Sequence, residues 1–214
     1  MKRFWKALGL LLILLNLGVL LSGKTWIYKA ISITYLKGER SSYIHDFVHF
    51  PYHTVVGGNH QPWAVSNNYN LVSVPDFAQA VNQDLETVAF LVIQDDSIRH
   101  EVYWDGYTAD SLSNSFSVAK SFVGTLVGAA LKDGAIQSLD QKVCDFIPEY
   151  CTEKNSTLSI RQVMTMSSGL NWDEDYFNPL GMTAEAYYGE SLYETIMGLE
   201  VVENPGEIFR YRSA

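Results

Sequence analysis

The residues best placed to do chemistry are Ser117 and Lys120, in the run Ser117-Val118-Ala119-Lys120. A serine hydroxyl is a poor nucleophile until a neighbouring group draws off its proton. The spacing serves that need, because residues i and i+3 share a helix face and let the Lys120 amine reach the Ser117 hydroxyl. A helix beginning here also turns its positive end toward any anion formed on the substrate. Burial at such a site disfavours the ammonium, so a buried Lys120 is expected to have a lowered pKa and to share a proton with Ser117.

Two other groups have the residue types of a reactive centre. His45, His49 and His53 recur every four residues, as metal ligands on a helix face would. Pro51 breaks that repeat and no carboxylate joins it, so solvated or packed histidines are the preferred reading, and no metal or other cofactor is expected. Cys144 and Cys151 flank a short loop and either pair or stay free. Asn155-Ser156-Thr157 spells a glycosylation sequon and is read as chance.

The elements that must position Ser117 follow from the hydrophobic pattern. A short helix is expected around Asp76–Val81. Thr87–Ile93 is a continuous apolar, β-branched run and predicts a buried strand, with Ile98–Trp104 as its hairpin partner across Asp95-Asp96. Ser117–Lys132 predicts a helix ended by Asp133-Gly134. Gly124 and Gly128, four apart in it, predict close packing in a core. Ser159–Met166 predicts a second helix, capped by Ser159 and stopped at Ser168-Gly169. A third lies within Thr183–Leu199, before a Pro205-Gly206 turn.

The N-terminus belongs to none of this. Lys2, Arg3 and Lys6 precede a run to Leu21 with almost no polar group, which reads as a cleaved export signal or, by preference, an uncleaved anchor over residues 4–22. Export to the periplasm, with attachment to the inner membrane, follows from that reading. Without residues 1–24 the chain has 11 basic residues against 24 acidic ones, a net charge of −13. No basic stripe suited to nucleic acid is present. An apolar share of 47% with 18% charged residues excludes a disordered chain, and 214 residues fit about one domain with an appendage. The division expected is a leader at 1–24, an extension at 25–84 and the main domain at 85–214.

Ser115-Phe116-Ser117-Val118-Ala119-Lys120-Ser121-Phe122 resembles the nucleophile signature of the β-lactamase-related serine hydrolases, which include class C β-lactamases, DD-peptidases, family VIII-type esterases and 6-aminohexanoate-dimer hydrolases. The resemblance extends to Ala89–Val92 with Tyr103–Tyr107, to Ser138-Leu139-Asp140 with Ile147-Pro148-Glu149, and to the segment Leu158–Leu170. It implies an α+β fold, an antiparallel sheet flanked by helices with a helical subdomain. It implies acyl transfer to Ser117 from a small ester, amide or β-lactam-like substrate. The family's second motif is Tyr-x-Asn or, in the esterase and aminohexanoate branch, Tyr-x-Ser. Tyr211-Arg212-Ser213 is similar to the latter, which implies Tyr211 as general base and Ser213 as a substrate-binding residue. Tyr176-Phe177-Asn178 also fits the pattern but lies close behind the Ser168-Gly169 turn, so Tyr211 is preferred.

The family's third motif, a Lys-Thr-Gly or His-x-Gly strand, has no counterpart before Ala214. On that ground the chain is expected to be the front portion of a larger domain whose later strands are missing. Residues 87–104 would then form a two-stranded sheet, marginal by itself. The competing expectations are a catalytically incomplete homologue and an anchored penicillin-binding sensor module.

Overall fold

A computed structural model describes residues 1–59 and 61–214. The chain divides into two compact units, Met1–Tyr43 with Ser115–Ala214, and Ile44–Asn114.

The first unit opens with α1 (Lys2–Ser22), closed by Gly23 in a left-handed conformation. Its 21 residues reach about 31 Å at 1.5 Å per residue, close to the thickness of a bilayer core. Its mean hydropathy is 2.1 and none of it is buried, so it is long and apolar enough to cross a membrane. Helix α2 (Trp26–Ile33) follows and buries Trp26, Ala30 and Ile33. Beyond it, the Thr34 and Tyr188 hydroxyls are hydrogen-bonded at 2.8 Å, and Lys24 reaches the Leu180 carbonyl.

The second unit holds a three-stranded sheet in the order β1 (Ala64–Val65), β3 (Ser97–Tyr103), β2 (Ala89–Gln94), together with helix α3 (Asp76–Asp84). β2 and β3 form the expected antiparallel hairpin. Asp95 and Asp96 both adopt positive φ, as a two-residue hairpin turn requires. Two expectations fail here. The sheet is not two-stranded, because β1 adds in parallel to β3. Nor is β2 buried: Leu91, Val92 and Ile93 are each exposed by more than a third. A continuous apolar run records what a strand is suited to bury, and its neighbours decide whether burial occurs.

Helix α4 (Ala119–Lys132) is followed by the core of the first unit, in which Tyr150, Leu158, Leu170, Trp172 and Leu199 pack together. Helix α5 (Ile160–Met164) begins at a capping box: the Ser159 hydroxyl accepts from the Gln162 amide and the Gln162 side chain accepts from the Ser159 N–H. The expected third helix is two, α6 (Met182–Tyr188) and α7 (Leu192–Met197). Gly189 makes the break, where a Cβ would stand 2.4 Å from the Glu185 carbonyl oxygen, and the Ser191 hydroxyl restarts the chain by accepting from the Glu194 N–H.

Helix α4 departs from expectation in its packing. None of its residues is buried, and Phe122, Val123 and Leu126 are largely exposed. A Cβ on Gly124 would meet only the Met164 methyl at 3.9 Å, and one on Gly128 would meet nothing, so the glycine pair is not a close-packing seam. Cys144 and Cys151 are free thiols, with Cys151 Sγ 3.3 Å from the Cys144 carbonyl oxygen.

Candidate active site

Ser117 sits in a single 3₁₀ turn, Phe116–Val118, that leads directly into α4. The helix expected from Ser117 thus begins two residues later, at Ala119, after this tighter turn. Phe116 holds φ at 42°, a left-handed conformation that costs a side-chain-bearing residue about 1–2 kcal/mol. Its ring stacks on Tyr187 with centroids 6.3 Å apart. Strained backbone of this kind recurs at active sites.

Lys120 Nζ lies 3.1 Å from Ser117 Oγ, as the i, i+3 spacing predicts. It donates equally to Ser213 Oγ, also at 3.1 Å. The Tyr211 hydroxyl stands 2.6 Å from Ser117 Oγ, and Lys120 Nζ lies 5.0 Å from the centre of the Tyr211 ring. Ser117, Lys120, Tyr211 and Ser213 therefore form one cluster, although 93 residues separate Lys120 from Ser213. The site is open: Ser117 and Ser213 are exposed and Lys120 is half-buried, not buried as expected, because its partners are themselves solvated hydroxyls. Hydrogen bonds from Ser117 first and Lys120 second hold the Tyr211 phenol below its ordinary pKa.

The segment carrying Tyr211 is fixed by the turn that precedes Trp172. Gly169 has φ of 70°, and a Cβ there would fall 2.2 Å from the Glu203 carbonyl oxygen, so only glycine admits this approach. The Gly169 carbonyl accepts from Val202 and Glu203, the Ser167 carbonyl from Gly206, and the Met166 carbonyl from Arg210. Gln162, already part of the α5 cap, donates to the Pro205 carbonyl at 3.0 Å. Asn155 completes the frame. Its buried side chain donates to the Leu199 carbonyl at 2.8 Å and accepts from the Val201 N–H at 2.9 Å. An apparent sequon is thus a structural clamp.

Glu174 is the site neighbour that the sequence pattern missed. Its carboxylate accepts from the Ser213 N–H and the Trp172 indole, each at 2.6 Å, and from the Ser213 and Tyr176 hydroxyls. Partial burial raises its pKa, but these donors outweigh that and hold the carboxyl below the ordinary range. Nothing in Asp173-Glu174-Asp175 marks the middle residue, and its bonds to Ser213 span 39 residues. Tyr176, the alternative motif tyrosine, is tied to Glu174, which pushes its phenol up. Among the described residues no cluster of three metal-ligating side chains occurs.

A family model described as beta-lactamase matches residues 75–214. The chain belongs to the beta-lactamase family. The 6-aminohexanoate-dimer hydrolase of Paenarthrobacter ureafaciens is 33% identical to it over 106 residues, 50% of this chain and 26% of that protein. A solved structure from Bacillus anthracis, provisionally assigned as a 6-aminohexanoate-dimer hydrolase, aligns with a TM-score of 0.56 at 19% identity, over 72% of this chain and 45% of that one. The beta-lactamase-like fold, helices with a small mixed sheet, is thereby established. The chain spans less than half the length of either relative.

Proposed function

We propose that the chain carries the nucleophile, lysine and tyrosine of a serine hydrolase that cleaves an ester or amide bond through an acyl-enzyme on Ser117. The observation that supports this most is the 2.6 Å contact between Tyr211 and Ser117, with Lys120 bridging Ser117 and Ser213. A tyrosine of lowered pKa reaches its phenolate form more readily, and the Lys120 cation beside it favours that form.

In the forward step the Tyr211 oxygen takes the proton of Ser117 as Oγ bonds to the substrate carbonyl carbon. The carbonyl oxygen becomes an anion near the positive end of α4. Collapse breaks the bond to the leaving alcohol or amine, which receives the proton from Tyr211. Water then attacks the ester on Ser117, Tyr211 takes its proton, and that proton returns to Ser117 Oγ as the acid departs. On this reading Ser213, 3.1 Å from Lys120, is a substrate-binding residue. The Tyr-x-Ser form of the second motif, and the relatives' description as hydrolases of a 6-aminohexanoate dimer, favour a small linear ester or amide over a β-lactam.

The same reading puts this chemistry on the exported side of a membrane, with α1 as anchor and Lys2, Arg3 and Lys6 retained on the other side. Steady-state hydrolysis of p-nitrophenyl butyrate tests the assignment. Ser117→Ala is expected to lower turnover by roughly 10⁴-fold or more, to background. Turnover unaffected by that substitution would refute it. A burst on β-lactams without steady turnover would instead identify a sensor-type module.

A further inference from the structure

A carboxylate has no proton to give, so every group that meets Glu174 must donate to it. That constraint propagates. The Ser213 hydroxyl commits its proton to Glu174, and its oxygen then offers only lone pairs to Lys120 Nζ at 3.1 Å. Lys120, as an ammonium, has donors and no acceptor, and two of its donors are directed to Ser213 Oγ and Ser117 Oγ. Donation therefore runs outward from Lys120, to Ser117 on one side and through Ser213 to Glu174 on the other. The Glu174 end is fixed in the core, because the Trp172 indole that donates to Glu174 is 5% exposed. The same carboxylate holds the Ser213 N–H at 2.6 Å, and so fixes the backbone two residues beyond Tyr211.

On the serine-hydrolase reading, on which this rests, we propose that Glu174 is a positioning residue that sets the direction of the Ser213 hydroxyl and thereby aims Lys120 at Ser117. The amide variant Glu174→Gln separates this role from simple packing. Its NH₂ group cannot face the Trp172 indole and the Ser213 N–H, which are fixed donors. It must face the Ser213 and Tyr176 hydroxyls, which can turn. Ser213 then accepts from the amide, and its own proton, no longer held by Glu174, competes with the Lys120 ammonium around Oγ, so the order of donors is lost at nearly constant volume.

The test compares wild type, Glu174→Gln, Glu174→Asp, Ser213→Ala and the double variant Glu174→Gln/Ser213→Ala. The readouts are kcat and KM for p-nitrophenyl butyrate and the rate of Ser117 phosphonylation by a fluorophosphonate. Glu174→Gln is expected to lower kcat by about 10–100-fold with KM little changed, as misdirected catalytic groups do. Glu174→Asp, which keeps the acceptor character, should restore part of that loss. The double variant should be no slower than Ser213→Ala, because without the hydroxyl there is nothing to direct; a purely structural Glu174 would give multiplying losses instead. Ser213→Ala leaves the carboxylate in place, so it reads the relay even if Glu174→Gln does not fold; it too should lower kcat. Failure of wild type to phosphonylate Ser117 would overturn the hydrolase reading and this inference together. Normal wild-type labelling with unchanged kcat in Glu174→Gln or Ser213→Ala, or with multiplying losses, would overturn this inference alone.

Discussion

Helix α4 with the 3₁₀ turn that leads into it, and the segment Leu158–Ala214, each supply half of the cluster around Ser117, and they are held in opposite ways. The segment is built on a core: Leu158, Leu170, Trp172 and Leu199 are buried, and backbone hydrogen bonds from Met166, Ser167 and Gly169 tie down the residues before Tyr211. Helix α4 buries no residue. Its ties are the Phe116–Tyr187 stack, the cluster's own hydrogen bonds and the loop after it, where Asp140 pairs with Arg161 of α5. The Tyr211 half is therefore formed by packing, whereas the Ser117 half depends on one ring stack and on polar contacts within the cluster itself.

The largest effect that probes this contrast is on the bond joining the halves. Tyr211→Phe removes the 2.6 Å contact to Ser117 and should cost about 10²–10⁴ in kcat, measured on a chromogenic ester. The pH profile carries the matching signature. Phenolate grows as pH rises through a Tyr211 pKa held below its ordinary value of about 10, so the wild-type labelling rate should rise with pH in that lowered range. The phenylalanine variant should lose that rise.

Stability should follow burial next. Leu158→Ala, at a fully buried position, is expected to cost about 2–5 kcal/mol in denaturant unfolding in detergent. Asn155→Ala should cost about 1–3 kcal/mol, because it leaves the Leu199 carbonyl and the Val201 N–H without their partner. Phe122→Ala, on the exposed face of α4, should fall within about 0.5 kcal/mol of wild type. A cost at Phe122 equal to that at Leu158 would break the comparison, since it would mean that α4 is buried in solution.

What the sequence makes legible is what local spacing encodes. Ser117 and Lys120 are three residues apart on one helical turn, the Ser159 cap and the Asp95-Asp96 turn are local signals, and the Tyr211 motif is readable through family likeness. Glu174 and Asn155 escape because their partners lie 39 and 44–46 residues away, and neither neighbourhood has a period that points there. The exposure of β2 and α4 escapes for a different reason. Hydrophobicity reports the tendency to be covered, while the covering layer is a property of the whole fold. Gly189 shows a third kind of miss, in which one backbone approach divides a continuous helical pattern into two helices.

The central claim, that Ser117 is a nucleophile made reactive by Tyr211 and Lys120, is tested most directly by mapping a fluorophosphonate adduct by mass spectrometry of the detergent-solubilised chain. The account predicts a phosphonyl group on the peptide containing Ser117, absent from Ser117→Ala and strongly slowed in Tyr211→Phe. An adduct on another residue, or labelling that persists unchanged in Ser117→Ala, would contradict it.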